Sequence, residues 1–232
     1  MLRGPQNLPE RIARVQERLA QAAARAGRSA QSVTLLGISK GQPAGVVRAA
    51  ADCGLQAFGE SYLQEALPKL DALRDRALTW HFVGRVQANK TRPIAEAFAW
   101  VHAVDRLKVA ERLAEQRPHY AAPLNVCLQV NIGGEASKGG VAHAELPQLA
   151  RAVARLPHLT LRGLMCIPPE EAEVARQRAW FRELAALYAS LNAQGLGLDT
   201  LSMGMSNDFE AAIEEGATIV RVGTALFGPR PP

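Results

Sequence analysis

Lys40 closes an apolar run, "VTLLGISKGQP", at a point where a charged amine is costly to hold away from water. Such an amine, desolvated or set beside another cation, attacks carbonyl carbon and forms Schiff bases. Far downstream, Arg221 lies inside a second apolar run, "TIVRVG", where a guanidinium needs a carboxylate or a bound ligand as partner. Two neighbouring stretches carry the parts of a phosphate cradle. Ser206, or Asn207 or Asp208, in "SMGMSNDFEAAIEEG" would cap a helix whose amides are expected to face the site. Gly223 and Thr224 in "RVGTALFG" add close backbone approach and a hydroxyl. Each residue also has a plainer account: Lys40 as a solvated strand end, Ser206 as an ordinary N-cap.

These groups act together only if the fold brings them together. Eight short, mostly apolar segments read as strands: 33–39, 57–61, 79–84, 100–105, 124–132, 159–167, 200–205 and 218–223. Helical patterns separate them, such as "PAGVVRAAADCG" stopped by Gly54, "RLKVAERLAEQRP" stopped by Pro118, and a long segment stopped by Gly195. Strands alternating with helices predict an α/β chain, a single-domain (β/α)8 TIM barrel over residues 1–232. The alternative is a doubly wound open sheet. The last strand is followed only by "TALFGPRPP", too short for a covering helix, and an extra N-terminal helix at about 8–26 is expected to fill that gap.

In such a barrel, functional groups gather at the C-terminal strand ends, and phosphate is commonly bound after strands 7 and 8. Strands 1 and 8 become neighbours on closure, so Lys40, Arg221, Ser206, Gly223 and Thr224 fall around one mouth. An amine, a guanidinium and a phosphate cradle match pyridoxal 5'-phosphate: Lys40 as the Schiff-base amine, Arg221 facing the pyridine nitrogen, and Ser206, Gly223 and Thr224 on the phosphate. Ser61, His81 and Met205 are candidate lining residues. His81 reads equally as a hydrogen-bonded strand histidine, and Asn89 and Lys90 as the first turn of a helix.

Composition excludes several other classes. Among 232 residues, 48% are hydrophobic and 21% charged, as in ordinary globular proteins. The net charge is +5, but arginines are interspersed with acids and form no basic arm, so no nucleic-acid partner is expected. No apolar run is long enough to span a bilayer, and the N-terminus lacks the apolar core of a secretion signal. Cys53, Cys127 and Cys166 show no metal-ligand spacing and read as buried free thiols in a reducing compartment. A cytoplasmic monomer without membrane or metal partners is expected.

The motifs "LLGISKGQP", "FGESYLQEALPK", "WHFVGRVQANK", "VHAVDR", "LQVNIGGEASKGGV", "LRGLMCIPP" and "LSMGMSNDFEAAIEEGATIVRVGTALFG" resemble, in order, those of the pyridoxal phosphate homeostasis protein family. The resemblance runs from about residue 33 to 228. It implies a fold-type III barrel like the N-terminal domain of alanine racemase, with the family's cofactor-contacting positions at Lys40, Arg221, Ser206, Gly223 and Thr224. It further implies buffering and delivery of the cofactor, with apo forms of cofactor-dependent enzymes as partners, rather than catalysis. Two departures stand out. Ser61 replaces the family's usual asparagine, which is expected to shorten or water-bridge a ring contact. Gly41 replaces a frequent threonine, which is expected to loosen the loop. Lys138, in "EASKGG", is a candidate for cofactor exchange, or simply a solvated loop lysine.

An amino-acid racemase is the alternative reading. An arginine at the pyridine nitrogen weakens the electron sink without preventing racemisation, but two-base racemisation needs an acid or base opposite the lysine. In alanine racemase a second domain supplies a tyrosine there, and this chain ends about where that domain would start. Tyr62, Tyr120 and Tyr188 fall in helical or connecting segments. A barrel serving only as a protein-binding scaffold would leave Lys40 and Arg221 without a purpose.

Overall fold

The computed structural model describes residues 7–134 and 139–229. Eight parallel strands close into a barrel in sequence order: β1 (Thr34–Ile38), β2 (Ala57–Glu60), β3 (Thr79–Phe82), β4 (Trp100–Val104), β5 (Leu124–Val130), β6 (Leu159–Cys166), β7 (Thr200–Ser202) and β8 (Ile219–Val222). β1 pairs with β8, with Leu36 opposite Arg221, so the (β/α)8 expectation holds and the open sheet is excluded. Strands sheltered on both faces can be apolar throughout, and Leu124, Val126, Leu128, Val220 and Val222 are fully buried.

The helices α1 (Leu8–Arg25), α2 (Ala44–Asp52), α3 (Leu63–Ala72), α4 (Thr91–Ala97), α5 (Leu107–Gln116), α6 (Leu146–Val153), α7 (Val174–Ala193), α8 (Phe209–Glu214) and α9 (Thr224–Phe227) surround the barrel. α1 starts on an Asn7 cap that accepts the Glu10 amide at 3.0 Å, and it buries Ile12, Val15 and Leu19. It lies on α8 and α9, filling the gap left by the four-residue α9 as expected. Arg18 pairs with Glu210 at 2.6 Å and Arg25 with Glu214 at 2.8 Å, which fix the docking angle more than they add stability.

Two strand ends are shorter than the sequence suggests. β7 stops at Ser202 because Gly204 turns the chain at φ 90°, and β8 stops at Val222 before Gly223. Asn89 and Lys90 form a short 3-10 turn, Ala88–Lys90, leading into α4. Cys127 and Cys166 are buried, and burial pushes both thiols up to about 12, leaving them unreactive. Cys53, expected to be buried, is only partly so because it closes the surface end of α2. Among the described residues no helix is long and apolar enough to cross a membrane, and no His, Cys, Asp and Glu cluster could hold a metal.

Candidate functional site

A cavity of about 780 Å³ opens at the C-terminal end of the barrel. Lys40, Ser61, Met205, Ser206, Arg221, Gly223 and Thr224 all line it, so the structure assembles residues spread over nearly the whole chain. Lys40 is half-buried, two residues beyond β1. The turn after it is not loose. Gly41 adopts φ 74°, a conformation costly for a β-branched threonine, and its amide donates to Glu65 Oε1.

A buried network that the sequence reading did not single out anchors this strand end. Ser39 Oγ donates to Glu60 Oε1 at 2.6 Å. Lys69 Nζ donates to Ser39 O at 2.8 Å, to Glu60 Oε1 at 2.6 Å and to Glu65 Oε1 at 3.1 Å. Burial pushes the Glu60 carboxyl up from its ordinary value despite the bonds from Lys69 and Ser39, and Glu60 Oε2 has no hydrogen-bond partner among the described residues. A signal was present in the sequence: Glu65 and Lys69 are spaced i,i+4, and Glu60 is a lone acid ending an apolar strand.

Ser61 is held in the wall by Gly84. A Cβ at Gly84 would collide with the Ser61 carbonyl, so only glycine lets the two loops approach this closely.

Arg221 is buried at the mouth, and of the two partners expected for it, a carboxylate or a bound ligand, the carboxylate is not among its hydrogen-bond partners. Nη1 donates to Ser202 O at 2.6 Å and to Ser202 Oγ at 3.0 Å, and Nη2 donates to Cys166 O at 2.8 Å. Burial lowers its pKa from the ordinary value, opposed by nearby groups that include Asp208. Carbonyl oxygens hold the cation without neutralising it, so its charge stays available to a ligand.

The candidate phosphate cradle is built differently from the expected cap of α8. Ser206 Oγ accepts the amides of Gly223 and Ala225 at 3.3 and 3.4 Å, tying the loop after β7 to the turn after β8. Asp208 takes the turn before α8 instead, accepting the Met205 amide at 2.5 Å, and burial raises its carboxyl pKa. The bonds to Ser206 are long, and a phosphate oxygen would offer the same amides a stronger, charged acceptor.

His81 is corrected. It does not line the cavity but is 2% exposed inside the barrel, where Nδ1 lies 2.8 Å from His102 Nε2 and its ring stacks on Trp100. The inward parity of its strand position puts it below the mouth. Lys138 lies outside the described residues.

The family profile described as the N-terminal domain of alanine racemase matches residues 11–231. A pyridoxal phosphate homeostasis protein from Pseudomonas aeruginosa is 60% identical over 96% of both chains, and one from Escherichia coli K12 is 47% identical over 97% of both. Among solved structures, PipY of Synechococcus elongatus PCC7942, with PLP bound, is 38% identical with a TM-score of 0.82. The match covers 96% of this chain and 100% of that one. Near-complete coverage at this identity leaves no large segment of either relative unmatched: the chain belongs to the pyridoxal phosphate homeostasis protein family.

Proposed function

We propose that this chain binds pyridoxal 5'-phosphate through Lys40 and serves its storage and delivery to apo-enzymes rather than turning over a substrate. The observation that carries the reading is the convergence of Lys40, Arg221, Ser206, Gly223 and Thr224 on one cavity. The donor set suits the group. Two basic side chains, two hydroxyls and the amides of Gly223 and Ala225 would meet a dianionic phosphate and a ring nitrogen that can accept a hydrogen bond. When bound, the cofactor supplies an electrophilic aldehyde carbon and a ring that can delocalise charge. Lys40 would supply the amine that holds the cofactor at that carbon. Ser206, Thr224 and the amides would hold the phosphate, and Arg221 would face the ring nitrogen. The bound cofactor in PipY and the name of the Pseudomonas relative support the same assignment.

Retention without turnover is supported by the tyrosines. Tyr120 is 93% exposed, Tyr62 is 59% exposed, and Tyr188 is engaged in donating to Leu198 O at 2.6 Å. None of the three lines the cavity, so none is placed as the second base of a racemase. The test incubates the cofactor-loaded protein with amino acids in deuterated water, and separately with an apo-enzyme. Transfer of cofactor with no α-proton exchange is expected; exchange at catalytic rates would overturn the storage reading.

Ser206→Ala removes one acceptor and donor from the cradle. Loss of a hydrogen bond to a charged group costs about 1.5–3 kcal/mol, so the variant is expected to bind pyridoxal phosphate roughly ten- to a hundredfold more weakly. Pyridoxal without the phosphate should be affected far less, as equilibrium titration would show. Equal weakening of both would remove Ser206 from the phosphate.

A further inference from the structure

Four polar side chains from four strands cross the barrel interior in one unbroken run. Arg221 on β8 meets Ser202 on β7, Ser202 Oγ lies 2.8 Å from His102 Nδ1 on β4, and His102 Nε2 lies 2.8 Å from His81 Nδ1 on β3. All four residues are at most 5% exposed. The run ends on the Trp100 ring, stacked on His81 at 5.3 Å, at the barrel end opposite the cavity.

Its direction follows from its first member. A guanidinium only donates, so Ser202 Oγ accepts from Arg221, and the orientation in which Ser202 donates in turn gives its hydroxyl proton an acceptor at His102 Nδ1. His102 then carries its proton on Nε2 and donates to His81 Nδ1, which leaves His81 protonated on Nε2 as well. In this orientation each bond of the run from Arg221 to His81 has one donor and one acceptor. Burial favours the neutral form of both rings: it pushes His81 down to about 3, and burial followed by the charges of His81 and Arg221 pushes His102 well below its ordinary value.

We propose that Ser202, His102 and His81 are positioning residues for Arg221, a chain of hydrogen bonds that fixes the rotation of the guanidinium presented to the ligand's ring nitrogen. Filling the same volume with apolar side chains would be neutral or favourable for stability alone. The neighbouring interior residues Ala103, Cys127 and Met165 show that this core accepts such packing. A fully satisfied buried chain instead specifies one geometry. Here that geometry belongs to the planar group at the cavity wall, whose Nη1 and Nη2 are gripped from β7 and β6.

The role rests on the proposed binding of pyridoxal phosphate at this site, and the experiment separates the two claims. Wild type, His102→Leu and His102→Gln are titrated with pyridoxal phosphate and with its carbocyclic analogue, in which C–H replaces the ring nitrogen. His102→Leu is expected to weaken pyridoxal phosphate about tenfold, the scale of one hydrogen bond to a charged group, and the analogue hardly at all. His102→Gln, which can still accept and donate, should recover most of the loss. Equal weakening of both ligands, or of neither, overturns the positioning role. Wild type that binds neither ligand overturns the site reading itself. Nitrogen-15 spectra of histidine-labelled wild type give an answer that needs no variant to fold. Both rings are expected to be neutral and protonated on Nε2, and a proton on Nδ1 of either contradicts the chain.

Discussion

Replacing Lys40 by alanine is expected to leave a folded protein that loses pyridoxal phosphate on gel filtration, whereas the wild type keeps it. Lys40 is half-buried beyond the end of β1, outside the regular strand, and the Gly41 amide bonds the turn beside it to Glu65. A substitution of that kind usually changes stability by less than about 0.5 kcal/mol. Retention changes far more, because the one covalent linkage disappears while the phosphate and ring contacts stay. The variant should therefore still bind the cofactor, but reversibly. Pyridoxal added to Lys40→Ala should show no visible absorption band of an imine at this position. A variant that keeps the cofactor as tightly as the wild type would place the linkage elsewhere.

Lys69→Met is expected to be the most destabilising single change around the site. Lys69 and Glu60 have side chains 4% and 0% exposed, and the amine also holds Ser39 O. Removing one partner of a buried ion pair costs about 3–5 kcal/mol because the other charge is stranded, which corresponds to a loss of roughly 10 °C in Tm for a chain of this size. The pH dependence has a definite sign. The folded Glu60 carboxyl titrates above its unfolded value, so the folded state holds the extra proton in that window and stability falls as pH rises through it. Without Lys69 the carboxyl is pushed further up, and the loss should grow above the ordinary carboxylate range and shrink in acid. Glu60→Gln added to Lys69→Met should recover part of the stability. Thermal melts at two pH values check both statements, and a loss independent of pH would contradict the assignment of the stranded charge to Glu60.

The barrel was legible because its signal is local. Apolar segments of strand length alternate with amphipathic helices, and each carries its own stop residue, as Gly54, Pro118 and Gly195 show. The short α9 and the amphipathic α1 even indicated which helix covers which gap. The site was legible in its members but not in its joints. The sequence shows Ser206 only as a serine beside a helix, which suits both a phosphate contact and a cap of α8. Its actual partners, the Gly223 and Ala225 amides, come from the next strand's turn. His81 stayed undecided for the same reason: what makes it a core residue is His102, on the adjacent strand. Glu60 and Lys69 were passed over because a buried ion pair leaves no mark in either local pattern beyond one acid and one base among apolar neighbours. The Gly41 substitution was expected to loosen the turn, and only its positive φ shows that glycine relieves strain there.

The central claim is that Lys40, and no other of the five lysines, joins the cofactor to this chain. Borohydride reduction of the cofactor-loaded wild type followed by peptide mass mapping tests it most directly. The expected result is one reduced cofactor adduct per chain on the peptide that contains Lys40. A chain without adduct, or one with the adduct on another lysine while Lys40 stays unmodified, would contradict it.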